Sequence, residues 1–238
     1  MSVDGLQTAL DVLKSSGVAT VVVGELVLNY YNIPCILHDI EICIPSSQFR
    51  AAELALSSSP LFERLPPRTP DLYTKYKYDC PRFLYAKQHQ TPIVLLSDLG
   101  IGFRKSEVLE SAAHRREAFY SDHILSYVSV EEIKRIPMPT LPSFVQYLCL
   151  LFFRDGDDMY QIRLEQLVDG MNIDEEWCRK TVSDEGQLQY LLKLVNSKVD
   201  RIDDFSGNLV TCYIADQQMA ANVTRIPGFS RTDATVPT

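Results

Sequence analysis

The chain has 238 residues, of which 46% are hydrophobic, 23% charged and 10% aromatic, values of an ordinary soluble globular protein that exclude a mostly disordered one. Its 23 basic and 31 acidic residues leave a net charge of −8, which repels a phosphate backbone and argues against nucleic acid as the main partner. The longest apolar run, Phe144 to Phe153, is interrupted by Gln146 and falls short of the roughly 20 residues of a membrane span.

Met1 to Lys14 lacks the basic start and apolar core of a secretory leader. It reads as a helix instead, with Val3, Leu6, Leu10 and Leu13 at helical spacing and Gly17 as its stop. Ala19 to Val23 is a β-branched, apolar run expected to form a buried strand ending at Gly24. Glu25 to Tyr31 is a short helical stretch closed by Asn32 and Pro34, and His38 to Pro45 is a second strand. Ser46-Ser47 is expected to cap a helix through Leu56. Leu61 to Leu65, Arg82 to Lys87 and Pro92 to Ser97 read as further strands, the last two paired through a turn at Gln88 to Thr91. A long polar stretch, Pro66 to Pro81, lies between them. Ser106 to Phe119 has a helical pattern, and Ile124 to Val128 reads as a last strand.

Pro137, Pro139 and Pro142 then mark a boundary. Beyond it the pattern is helical over Ser143 to Arg154, Met159 to Val168, Glu175 to Val182 and Gln187 to Val199. Met219 to Val223 fits no single class, and Thr224 to Thr238 reads as a loose tail. The expected architecture is an α/β (α+β) domain with a mixed sheet over 1–136, a helical domain over 137–223 and a tail over 224–238.

Several chemistries are excluded by missing motifs. No G-x-x-x-x-G-K-[ST] phosphate loop and no G-x-S-x-G nucleophile elbow occur. Gly100-Ile101-Gly102 lacks the third glycine of a dinucleotide fingerprint, whose place is taken by Lys105. His38, His89, His114 and His123 have no zinc-ligand spacing, and the six cysteines form no C-x-x-C pair, a pattern of reduced thiols in the cytosol. Asp155-Gly156-Asp157-Asp158 begins like a calcium loop, but Gln166 stands where the closing Glu is required, so it reads as a turn between helices with an N-cap aspartate. Arg68, Tyr73, Lys75, Tyr76, Lys77 and Tyr78 interleave basic and aromatic side chains. That is the composition of a stacking surface for a base or an anion, and equally of a solvated loop whose tyrosines pack on the sheet, the reading preferred here.

One constellation carries chemistry. A buried strand ends in Gly24, a short helix follows, and Asp39-Ile40-Glu41 opens the next strand. Residues two apart on a strand share a side, so Asp39 and Glu41 converge. Converging carboxylates need a cation between them, and Mg²⁺ or Mn²⁺ takes such oxygen ligands. Gly24 offers bare backbone N–H groups to an anion at the start of the helix.

Val23-Gly24, followed fifteen positions after Gly24 by Asp39-Ile40-Glu41, resembles the nucleotidyltransferase superfamily of the DNA polymerase beta type, and most of all its minimal branch. Leu26, Leu28, Asn32 and Pro34 fall at that branch's apolar helix positions, turn residue and frequent proline. Phe152 to Tyr160 is similar to the helical tail of fungal proteins of the branch. The resemblance implies that Asp39 and Glu41 hold divalent metal, that Gly24 faces the triphosphate of an NTP, and that a third carboxylate completes the site. Asp98 and Asp79 are the candidates for it. The implied reaction is attack of an acceptor hydroxyl on the α-phosphate. The chain departs from the pattern at Glu25, where the branch has Gly or Ser. That departure opens two alternatives. One is a scaffold repurposed for proton transfer on a small molecule of a biosynthetic pathway, with Glu25, His38, Asp39 and Glu41 lining the pocket. The other is a non-catalytic binding module.

Overall fold

Leu6, Leu10 and Leu13 all bury on one side of the first helix, α1 (Asp4–Ser15). Gly17, at φ 71°, turns the chain out of it. The computed structural model describes residues 4–31, 33–69, 74–86, 91–99, 103, 108–109, 122–171, 173–198 and 201. After α1 come β1 (Val21–Val23), α2 (Glu25–Tyr30), β2 (Ile40–Ile44), α3 (Phe49–Ser58), β3 (Phe62–Leu65), β4 (Arg82–Tyr85) and β5 (Ile93–Ser97). Ser46–Gln48 forms a single 3-10 turn ahead of α3, so the helix starts later than the serine pair suggests.

The strands make a mixed sheet in the order β1-β2-β5-β4-β3. Only the central β2–β5 pair is parallel; its flanking pairs run antiparallel. Val23, Glu41, Val94, Arg82 and Leu65 stand side by side across all five strands and so share one face. Ile40, Ile93 and Phe83 belong to the other face. That second face is apolar and is covered by α1 and α3: Gly5 sits against the Tyr85 side chain, and Glu53 pairs with Arg64. The first face carries the polar residues.

The chain continues through β6 (Val108–Leu109), α4 (Asp122–Leu125), α5 (Val130–Ile133) and β7 (Met138–Pro139), then α6 (Leu141–Asp155), α7 (Asp158–Gly170), α8 (Glu175–Thr181) and α9 (Glu185–Asn196). The strand expected at Ile124 to Val128 is instead α4 and a turn. Ile124 and Val128 are both buried four positions apart while Leu125 is exposed, which is helical rather than alternating placement. The helices α6 to α9 start and stop on readable signals. Thr140 caps α6, Gly156 ends it in the left-handed conformation at φ 62°, and Asp157, Asp174 and Asp184 cap the next three. Asp157 is therefore the N-cap expected of the Asp155 to Asp158 run.

The C-terminal helices lie on the polar face of the sheet. Arg163 of α7 reaches Glu41 of β2, and Phe144 of α6 stacks on Tyr31. The proline-rich connection is tied to β1, where the Val22 N–H donates to the Pro137 carbonyl at 2.8 Å, and Tyr31 donates to the Pro139 carbonyl. One apolar core consequently runs unbroken from Leu6 to Leu194. Among the described residues no helix is long and apolar enough to cross a membrane. The expected helix at 106–119, the Gly100 to Gly102 run, positions 88–90 of the expected turn, the 219–223 segment and the tail lie outside the described residues, save the two positions of β6.

Candidate functional site

Asp39 and Glu41 do converge, and what lies between them is an ammonium group. Both side chains are 1% exposed. Lys77, from the one-turn 3-10 helix Lys75–Lys77, places its Nζ 3.1 Å from Asp39 Oδ2 and 2.7 Å from Glu41 Oε1. Glu41 also accepts a short hydrogen bond from the Tyr76 hydroxyl and lies 3.4 Å from Arg163 of α7, which donates in turn to Tyr76. Asp39 is held by Arg68 at 2.9 Å and approached by Arg82 at 3.5 Å. Tyr76 is packed between Tyr160 and the Arg163 guanidinium, whose carbon lies 4.8 Å from the ring centre.

Burial of this kind is costly for each ion, by several kcal/mol, unless the partners are close and well aligned. Here they are. Burial pushes the Glu41 carboxyl up, but the Lys77 and Arg163 charges and the hydrogen bonds from Lys77 and Tyr76 outweigh it and hold the group at about 2. Burial likewise pushes Lys77 down, and Glu41 with Asp39 raises it well above an ordinary lysine. The Tyr76 phenol is driven up by its burial. At neutral pH Glu41 and Lys77 are therefore both ionised beside a neutral Tyr76. Two oxygens, Asp39 Oδ1 and Glu41 Oε2, are buried with no hydrogen-bond donor, and the Arg82 Nε–H is buried with no acceptor.

Gly24 has a structural reason that spacing alone does not show. It sits at φ 72°, and a Cβ there would collide with the Glu41 carboxylate. Its carbonyl starts α2 by accepting from Val27 and Leu28. Glu25, next in line, turns to His38: Oε2 accepts the His38 backbone N–H at 2.7 Å and Oε1 lies 2.9 Å from the ring Nδ1. The His38 side chain is 56% exposed and that of Glu25 16%. Asn29, fully buried, pins the intervening loop by bonding both the N–H and the carbonyl of Cys35. The dyad is thus fixed by α2 at one end and by the start of β2 at the other.

Asp98 does not join the pair. It follows β5, whose end is level with the far end of β2, and its N–H donates to the Ile44 carbonyl. Five strand positions from Asp39 to Ile44 put it about 16 Å away at roughly 3.3 Å per residue. There its carboxylate accepts from the Ser46 N–H and hydroxyl, both at 2.7 Å, and closes the turn into α3. Asp79 is exposed on the turn after Lys77. Among the described residues no three Asp, Glu, His or Cys side chains gather as a metal-ligand set.

Sequence reasoning misses Arg82 and Arg163 as site residues and sets Arg68, Tyr76 and Lys77 apart from the carboxylate pair. Tyr76 and Lys77 belong to the interleaved basic–aromatic stretch, which is therefore partly buried ionic structure and not wholly a solvated loop. Arg163 had one usable signal. It stands on the same helix face as Tyr160, Leu164 and Leu167, all buried, and an arginine on an apolar face needs an acidic partner.

No protein-family model matches the chain, and no curated protein matches it. Among solved structures it is similar to JHP933 from Helicobacter pylori, at 11% identity over 88% of this chain and 98% of that one, with a TM-score of 0.30, values too low to transfer any property.

Proposed function

We propose that the chain uses a nucleotidyltransferase-like framework for proton-transfer chemistry on a small molecule, with His38 as the acid–base group and Glu25 as the carboxylate that orients it. The observation that carries this reading is the double engagement of Glu25 with the His38 backbone and ring. A carboxylate on Nδ1 fixes the proton there and leaves the Nε2 lone pair outward. His38 would accept a proton from an acidic C–H of an enolisable substrate, and Glu25 would stabilise the imidazolium. Returning that proton at a second carbon completes an isomerisation with no other reactant. Asp39 and Glu41, enclosed by cations, support the framework and do not touch substrate. A cytosolic setting agrees with Cys35, Cys43, Cys80, Cys149 and Cys178 all being free thiols.

A second reading, metal-dependent nucleotidyl transfer from an NTP to a hydroxyl, is favoured by the two buried oxygens without a hydrogen-bond donor, Asp39 Oδ1 and Glu41 Oε2. The rest of the donor set does not fit Mg²⁺ or Mn²⁺, because Lys77 already bridges the pair and four cations surround it.

The two readings separate in one experiment. The protein is incubated in D₂O with a panel of small enolisable ketones and, in parallel, with NTPs and Mg²⁺. Deuterium wash-in is followed by proton NMR and pyrophosphate by a coupled assay. Wash-in that falls about 10²-fold or more in His38→Gln, and less in Glu25→Gln, is the expected result. Pyrophosphate release that depends on Asp39, with no wash-in, overturns it.

A further inference from the structure

We infer that Lys77 is the resident cation of the Asp39–Glu41 pair, a protein-borne ammonium standing where the resemblance calls for a divalent metal. The Lys77 side chain is 3% exposed and its Nζ contacts one oxygen of each carboxylate. An ion bridging two carboxylates has that arrangement, and here the chain itself supplies it.

The surroundings reinforce the assignment. Arg68, Lys77, Arg82 and Arg163 bring four positive charges to two carboxylates. Glu25, the other nearby acid, is engaged with His38. A divalent ion would enter a neighbourhood that is already positive, and no additional carboxylate, histidine or thiolate among the described residues stands ready to compensate. The spare oxygens are covered as well: Arg82 stands over Asp39 Oδ1, and Glu41 Oε2 rests on Gly24. Mg²⁺ needs near-octahedral oxygen ligation at about 2.0–2.1 Å and keeps several waters. Room for that exists only if Lys77, whose side chain is 3% exposed, gives up its place between the carboxylates. The inference is independent of the His38 dyad and would survive the absence of any proton-transfer activity.

Mn²⁺ binding to the full chain, read by electron paramagnetic resonance, tests it together with thermal unfolding. The wild type is expected to show no stoichiometric Mn²⁺ site. Lys77→Ala, which vacates the space between the carboxylates, is expected to melt lower and to gain Mn²⁺ affinity at least tenfold, a gain abolished by adding Asp39→Asn. Methylammonium, which restores the missing headgroup, should raise the melting temperature of Lys77→Ala but not that of the wild type. Should Lys77→Ala fail to fold, Lys77→Met keeps the stem without the charge and is read by the same Mn²⁺ titration. A stoichiometric Mn²⁺ site in the wild type that disappears in Asp39→Asn overturns the inference. So does a folded Lys77 variant whose stability and Mn²⁺ binding equal those of the wild type.

Discussion

Glu41 is a carboxylate with no access to water, and its ionisation is a measure of how well the protein replaces that water. Its folded-state value of about 2 lies below the ordinary glutamate value of 4.5. The stability it contributes is thus fully present above about pH 4.5 and is lost as the pH falls toward 2. A shift of that size is worth about 3 kcal/mol. Urea titrations between pH 7 and 2 should show the midpoint falling steeply below pH 4.5, and Glu41→Gln should flatten that limb while lowering stability at pH 7. Gly24 is the neighbour that makes this placement feasible. In Gly24→Ala the backbone at φ 72° and ψ −145° costs roughly 1–3 kcal/mol, and the new methyl must displace the Glu41 carboxylate. A loss of about 3 kcal/mol or more by chemical denaturation is expected; an unchanged midpoint would show that Glu41 swings aside freely.

Among the C-terminal helices, α7 reaches the site directly, because Arg163 carries a cation from the helical region onto a sheet carboxylate. Arg163→Met keeps the stem's packing and removes the charge. Glu41 retains Lys77, so the expected loss is below the roughly 3–5 kcal/mol of an abandoned buried ion, at about 2 kcal/mol in a melt at neutral pH. The elements themselves were largely legible in the sequence. β5 is an apolar run of strand length, β2 alternates in part, and α6 to α9 combine helical spacing with Asp, Thr and Gly at their ends. Ile124 to Val128 misled because a five-residue apolar run fits a turn of helix as well as a strand. The short β6–β7 ladder has no periodicity to read. Convergence of Asp39 and Glu41 followed from the two-residue repeat of a strand. Their cations did not, since nothing in the interleaved stretch from Arg68 to Tyr78, or in the strand that Arg82 begins, shows which acids it will pack against.

At the scale of the whole molecule, a sheet lies between α1 with α3 on one face and the C-terminal helices on the other. Removing everything after Ile136 would strip Arg163 from Glu41 and the Pro137 carbonyl from Val22. It would also expose the side of the core that Phe144, Leu148 and Leu164 now cover. Residues 1–136 alone are therefore expected to bind a hydrophobic dye and to unfold without a cooperative transition, whereas a sharp melt would assign those helices a merely peripheral role. Glu41 and Arg163 are 122 residues apart in the chain. On a ribosome adding roughly 5–20 residues per second, about 6–25 s separate the synthesis of the two. Through that interval Glu41 lacks one of its cationic partners, and the half-made protein has reason to keep this face of β2 wet. The helical region thus delivers a charge as well as a cover, and the middle of the sheet has its full set of cations only once α7 has been made.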